Sequence, residues 1–279
     1  MRIAWIGAGK MGLPICKRLK AAGHEVFVLA RRPEQSELLQ AHGFTVECNV
    51  RALVKDVDII FTCVSDDKAL EDVAVNHDMA APTYIDMSTV SPDLSAKVAA
   101  HLSAGTAYLR APVSGSTTLA ENGTLTALVS GPIDTFNAMN EVFAAFTKKA
   151  FYVGTAEEAR YLKLAINSIV CATAPLLGEA LAFGAKGGLT PATMMEVINQ
   201  SVVASPLMGY KTNMVVNDDY RPAATLHTLM KDLDLLLTAG ASHNMSLPVN
   251  TKIMEAYRSA SAVGLGEQDF FVLVQQARS

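Results

Sequence analysis

Short apolar runs alternate with amphipathic stretches through the first half of the chain, and beyond about residue 155 only helical spacing remains. Residues 3–6, 25–29, 57–64, 83–87, 107–113, 125–130 and 150–153 read as strands. Helix starts fall between them. Ser65-Asp66-Asp67 follows one strand, and Ser91-Pro92 follows the next with N-cap and N1 preferences. Strands and helices in alternation predict an α/β fold with a doubly wound, mostly parallel sheet. Ligands bind such sheets at the carboxyl ends of the strands, so the loops at 7–12, 64–67, 88–91 and 114–118 should line one crevice.

The second half predicts helices over 156–187, 191–201, 206–215, 222–242 and 249–263, with a shorter piece from 267. Gly187-Gly188 followed by Thr190-Pro191 marks a stop and a restart. No Gly- or Ser-rich linker separates the halves, so the long helix must itself carry the chain between domains. The expected division is an α/β domain over 1–155, an interdomain helix over 156–187 and an all-α domain over 188–279. The apolar stretch 162–185 is long enough for a membrane span, yet it holds Lys163, Asn167, Pro175 and Glu179. A buried helix is the better reading, and no membrane partner is expected.

The densest motif follows the first strand. Gly7, Gly9 and Gly12 stand at G-x-G-x-x-G spacing in Gly7-Ala8-Gly9-Lys10-Met11-Gly12, between a strand and a helical pattern. Gly7 permits the turn, Gly9 lets a pyrophosphate approach the backbone, and Gly12 lets helix and strand pack closely. The helix N-terminus then faces the anion. About 20 residues on, a site for NAD would place an acid at the end of the second strand. This strand ends Ala30-Arg31-Arg32-Pro33. Guanidinium forks match phosphate oxygens, so the reading is NADP ahead of NAD, with Arg31 and secondarily Arg32 on the 2′-phosphate. The alternative is a solvated Arg pair in a surface loop.

Composition narrows the class. The 279 residues are half hydrophobic and carry a net charge of −4, from 23 basic and 27 acidic side chains. That balance argues against a nucleic-acid partner. Cys16, Cys48, Cys63 and Cys171 show neither paired nor metal-ligand spacing, which fits a reducing, cytoplasmic setting and no metal site. The first strand begins at the N-terminus, so no leader segment is expected.

Three places could carry chemistry. Lys163 and Asn167 are four apart and share a face of the long helix. A half-buried Lys there could exchange the proton that accompanies hydride transfer; a surface charge is an equal reading. Ser114-Gly115-Ser116 could cradle a carboxylate with inward N–H groups. Lys231-Asp232 by itself reads as a surface ion pair.

Five motifs in order carry a family resemblance over nearly the whole chain. They are Ile6-Gly7-Ala8-Gly9-Lys10-Met11-Gly12, Asp86-Met87-Ser88-Thr89, Ala111-Pro112-Val113-Ser114-Gly115-Ser116, Lys163-Leu164-Ala165-Ile166-Asn167 and Lys231-Asp232-Leu233. The chain resembles the β-hydroxyacid dehydrogenases, which include 3-hydroxyisobutyrate dehydrogenase, tartronate semialdehyde reductase and the glyoxylate/succinic semialdehyde reductases. The resemblance implies a Rossmann domain, a long helix and an all-α domain, as a homodimer or homotetramer. It implies an NADP-dependent oxidoreductase for a small carboxylate substrate, with Lys163 as the general acid/base and Asn167 beside it. Ser88, Thr89, Ser114, Gly115 and Ser116 would hold substrate. Thr89 and Lys231, with Cys63, Val64 and Ser65 after the strand at 57–64, would join the glycine loop on the cofactor.

Departures from the family pattern are also visible. Glu157 and Ala159 stand where a Gly-x-Gly element is usual, Arg110 where an acid is usual, and Pro175 should kink the long helix. Arg110 could serve an extra anionic group on the substrate or only repair local charge. Two rival functions stay open: a dehydrogenase of β-hydroxy amino acids, and a noncatalytic NADP-binding module. Lys163 argues against an imine reductase.

Overall fold

The computed structural model describes residues 1–278. The chain forms two compact units, Met1–Lys163 and Leu164–Ser279. In the first, β1 (Arg2–Ile6), β2 (Glu25–Leu29), β3 (Thr45–Glu47), β4 (Ile59–Thr62), β5 (Thr83–Asp86) and β6 (Ala107–Arg110) run parallel, in the order β3-β2-β1-β4-β5-β6. The helices α1 (Gly12–Ala21), α2 (Pro33–Ala41), α3 (Val50–Leu53), α4 (Asp67–Ala74) and α5 (Pro92–His101) connect them. The order reverses between β1 and β4, which opens a crevice at the carboxyl ends there.

Beyond β6 the direction changes. The elements are β7 (Val113–Ser114), α6 (Thr117–Asn122), β8 (Leu125–Ser130), α7 (Ile133–Ala138), α8 (Asn140–Ala144) and β9 (Thr147–Gly154). β8 is antiparallel to β6 and β7 and parallel to β9. The strand expected over 107–113 is thus two strands. Pro112 has no N–H to give a ladder, and the chain re-pairs on β8 after it. β3, only three residues long, was not foreseen.

Strand alternation builds a core on each sheet face. Ile3 and Trp5 pack with Ile15, Cys16 and Leu19 of α1. Ala4 and Ile6 join Leu70 and Val73 of α4 and Val98 of α5 on the other face. The foreseen helix starts hold. Asp66 accepts from Ala69 N at 2.9 Å, and Ser91 Oγ accepts from Leu94 N at 3.1 Å.

The second unit is helical. α9 (Glu158–Lys186) begins in the first unit and continues through Pro175. α10 (Pro191–Gln200), α11 (Pro206–Val216), α12 (Leu226–Ser242), α13 (Pro248–Ala262) and α14 (Val272–Arg278) follow. Thr190, Ser205 and Thr225 cap α10, α11 and α12, which is why α12 starts after Thr225 rather than at 222. By length and composition α9 could cross a membrane. Its positions Cys171, Ala174, Leu177 and Leu181 instead lie in the helical core with Met195, Leu233 and Tyr257. Gly178 meets α14 so closely that a Cβ would lie 2.7 Å from Ala277. Asp269, fully buried, accepts from Lys211 Nζ at 2.6 Å and from Phe271 N at 3.1 Å, a polar staple with no signature in sequence.

Candidate active site

Each glycine of the first loop has a separate reason to be glycine. Gly7 has φ +101°, and a Cβ there would lie 2.1 Å from the Cys63 carbonyl. A Cβ on Gly12 would lie 2.2 Å from the Gly7 carbonyl, so the start of α1 presses directly on the turn. Gly9 faces open space, with nothing within 4 Å of its Cβ position. The loop therefore fits a dinucleotide pyrophosphate: tight behind, open in front, with a helix N-terminus facing the opening.

A cleft of about 1060 Å³ lies along this loop. Its lining includes Ala8, Gly9 and Lys10, with Lys17 and Arg18 from α1 and Arg32. Glu34 and Glu121 stand among these cations. Arg31 and Arg32 are both exposed just after β2, and Arg32 lines the cleft. Lys17 and Arg18 were not singled out in sequence, where they read only as polar positions of an amphipathic helix. Cys63, Val64 and Ser65 follow β4. The Cys63 thiol is pushed up to about 12, first by desolvation and then by the Asp86 carboxylate, so it stays protonated.

The next loop rests on a buried polar cluster at the carboxyl ends of β4, β5 and β6. Asp86 Oδ1 accepts from Thr62 Oγ1 at 2.6 Å and from Ser88 Oγ at 2.7 Å. Ser88 Oγ in turn accepts from Val64 N at 2.9 Å, which ties the two loops together. Ser88 is buried and its hydroxyl is committed on both sides, so it shapes the loop from within. Thr89, beside it, is partly exposed.

The same cluster receives Arg160 from the first turn of α9. Its guanidinium donates to Asp86 Oδ2 at 2.5 Å, the Ser88 carbonyl at 2.7 Å and Tyr108 Oη at 3.0 Å, and Nε donates to Ser95 Oγ at 3.1 Å. Burial works against the Arg160 charge, but Asp86 and Tyr108 outweigh it and hold the group above its ordinary range. Burial likewise pushes the Tyr84 and Tyr108 phenols up, beside the Asp86 charge. Arg110, at the end of β6, pairs with Glu157 just before α9 and lies 4.2 Å over the Tyr108 ring. Ser130 Oγ donates to the Ala156 carbonyl at 2.6 Å. The Arg110 charge is thus taken up by Glu157; two departures seen separately in sequence form one part-buried pair.

Ser114 ends β7 and Ser116 caps α6, accepting from Leu119 N at 3.4 Å. Gly115 has φ +139°, and a Cβ there would lie 2.7 Å from Leu125 and 3.1 Å from Leu119. The side-chain space at Gly115 is filled by the protein's own apolar groups, so a larger residue there would press on Leu125 and Leu119. Lys163 lies half-buried on α9, one turn after Arg160. In the helical unit, buried Asn167 donates to Asp232 Oδ2 at 2.6 Å, and Lys231 Nζ lies 2.8 Å from Asp232 Oδ1. The expected surface pair Lys231-Asp232 is therefore a partly buried one, because Asp232 is turned in toward α9.

A doubly wound sheet with a glycine-lined phosphate loop, followed by a helical unit, defines a dinucleotide-binding protein of the oxidoreductase type. Residues 2–154 match the NAD binding domain of 6-phosphogluconate dehydrogenase, and residues 158–277 match the NAD-binding domain of NADP-dependent 3-hydroxyisobutyrate dehydrogenase. The chain belongs to the β-hydroxyacid dehydrogenase family. It is 30% identical over 285 residues to 2-(hydroxymethyl)glutarate dehydrogenase of Eubacterium barkeri, covering 99% of this chain and 94% of that one. It is similar in structure to Mycobacterium tuberculosis 3-hydroxyisobutyrate dehydrogenase solved with L-serine, at TM-score 0.87 and 25% identity over 100% and 99% of the two chains. It is also 29% identical over 285 residues to the cytokine-like nuclear factor N-PAC of Anopheles gambiae, covering 100% of this chain and 50% of that protein. The chain spans about half the length of the N-PAC relatives it matches.

Proposed function

We propose that the protein is an NADP-dependent oxidoreductase interconverting a small hydroxy acid and its semialdehyde or keto acid. The observation that carries this reading is the pairing, in one unit, of an open glycine loop with Lys163 at the start of α9. Bound NADPH would supply the hydride. Lys163 would give a proton to the carbonyl oxygen in reduction and take it back in oxidation. Thr89, Ser114 and the N–H groups near Gly115 would hold the carboxylate, Asn167 would orient substrate, and Lys231 would reach the cofactor. Arg32, with Arg31, would engage the 2′-phosphate. We place the protein in the cytoplasm as a homo-oligomer with no nucleic-acid or membrane partner.

The N-PAC relatives favour a second reading, in which this fold serves as part of a larger protein. Lys163, Asn167 and Lys231, present together, favour the enzyme. The family description of an NADP-dependent enzyme over residues 158–277 supports the choice of cofactor.

The test is NADPH oxidation with a panel of glyoxylate, succinic semialdehyde and β-keto acids, run with NADP⁺ and β-hydroxy amino acids in reverse. Lys163→Ala should lower turnover by about 10²–10⁴-fold while NADPH affinity holds. Lys163→Arg should recover little, because a guanidinium does not release its proton near neutral pH. Near-normal kcat in Lys163→Ala would return Lys163 to a helix-surface charge.

A further inference from the structure

The polar cluster under the start of α9 is more than a packing device. Arg160 is 1% exposed and bonds three successive elements at once: the β5 end through Asp86, the following loop through the Ser88 carbonyl, and β6 through Tyr108. The other oxygen of the same Asp86 holds the Ser88 hydroxyl and Thr62. One carboxylate therefore anchors both the Ser88-Thr89 loop and the first turn of α9. Lys163 follows Arg160 by three residues, a spacing that keeps the two on adjoining turns. A planar fork with fixed bonds leaves that turn no freedom to rotate or slide, whereas a single point charge would.

We infer that Arg160 is a positioning residue, which through Asp86 and Ser88 fixes Lys163 against the Ser88-Thr89 loop. It does not meet the reacting atoms. The inference rests on the assignment of Lys163 as the acid/base given above, and adds what holds that group in place.

Arg160→Lys keeps the charge and removes the fork. Turnover of NADPH with succinic semialdehyde or glyoxylate should fall by about 10–10²-fold, the cost of a misplacement near 1 Å, with NADPH affinity and KM little changed. The same substitution placed on Lys163→Ala should add almost no further loss, because there is then no acid to misplace. Asp86→Asn/Arg160→Met removes both charges of the pair and leaves neither buried alone. It should behave like Arg160→Lys, and it serves if the single variant folds poorly. Wild-type kcat in Arg160→Lys, or an equal loss in both backgrounds when Lys163→Ala is itself impaired, would overturn the role of Arg160 alone. Normal turnover of Lys163→Ala would instead remove the acid/base assignment, and this inference with it.

Discussion

Gly7, Gly9 and Gly12 show how much a single residue can determine. Gly7 is held by the Cys63 backbone and Gly12 by the Gly7 carbonyl, while Gly9 has only space before it. Of the arginines that follow β2, the sequence put Arg31 first on the 2′-phosphate and Arg32 second. Both are exposed, and Arg32 lines the cleft. Arg32→Ala should therefore weaken NADPH by about 1.5–3 kcal/mol, the worth of a charge-assisted bond, and NADH far less. Arg31→Ala should do less. Isothermal titration of both cofactors checks this; equal losses of NADPH and NADH in Arg32→Ala would take it off the 2′-phosphate.

At the scale of the element, the start of α9 is the decisive piece. Its period and its length could be read from apolar spacing. How it is held could not. Arg110 and Glu157 are 47 residues apart and each departs from the family pattern; together they make a part-buried ion pair, with Arg110 Nε 2.9 Å from Glu157 Oε1. Breaking a fully buried pair costs about 3–5 kcal/mol, and the residual exposure of Glu157 sets the cost here toward or below the low end of that range. Arg110→Ala should lower stability to that extent in urea titration. Reversing the pair, Arg110→Glu with Glu157→Arg, should recover part of the loss. A double variant no better than the sum of its single substitutions would show that the two do not act as a pair.

At the scale of the whole molecule, α9 also carries an apolar stripe that its own chain leaves uncovered. Leu162, Ile169, Leu176 and Phe183 recur every seven residues, and Ile169, Leu176 and Phe183 are 71%, 68% and 83% exposed. Contiguous exposed apolar surface of this kind marks an interaction site, and self-association is the expectation. Leu176→Glu/Phe183→Glu should reduce the mass seen by sedimentation at micromolar protein while far-ultraviolet circular dichroism stays the same. An unchanged mass would exclude this face from the assembly.

The sequence by itself determined the alternation of strands and helices, the helix starts at Asp66, Ser91 and Thr190, and the glycine loop. These are local: side-chain period, caps and turn chemistry act over a few residues and are written in order along the chain. Only the tertiary structure decided the rest. It turned Ser88 inward, gave Arg110 to Glu157 and Arg160 to Asp86, drew Asp232 against Asn167, and buried Lys211 on Asp269. In sequence each of these is one charged or polar residue among many. A buried charge must find a partner, and the partner is chosen by which strand ends and helix turns the fold brings together, not by distance along the chain.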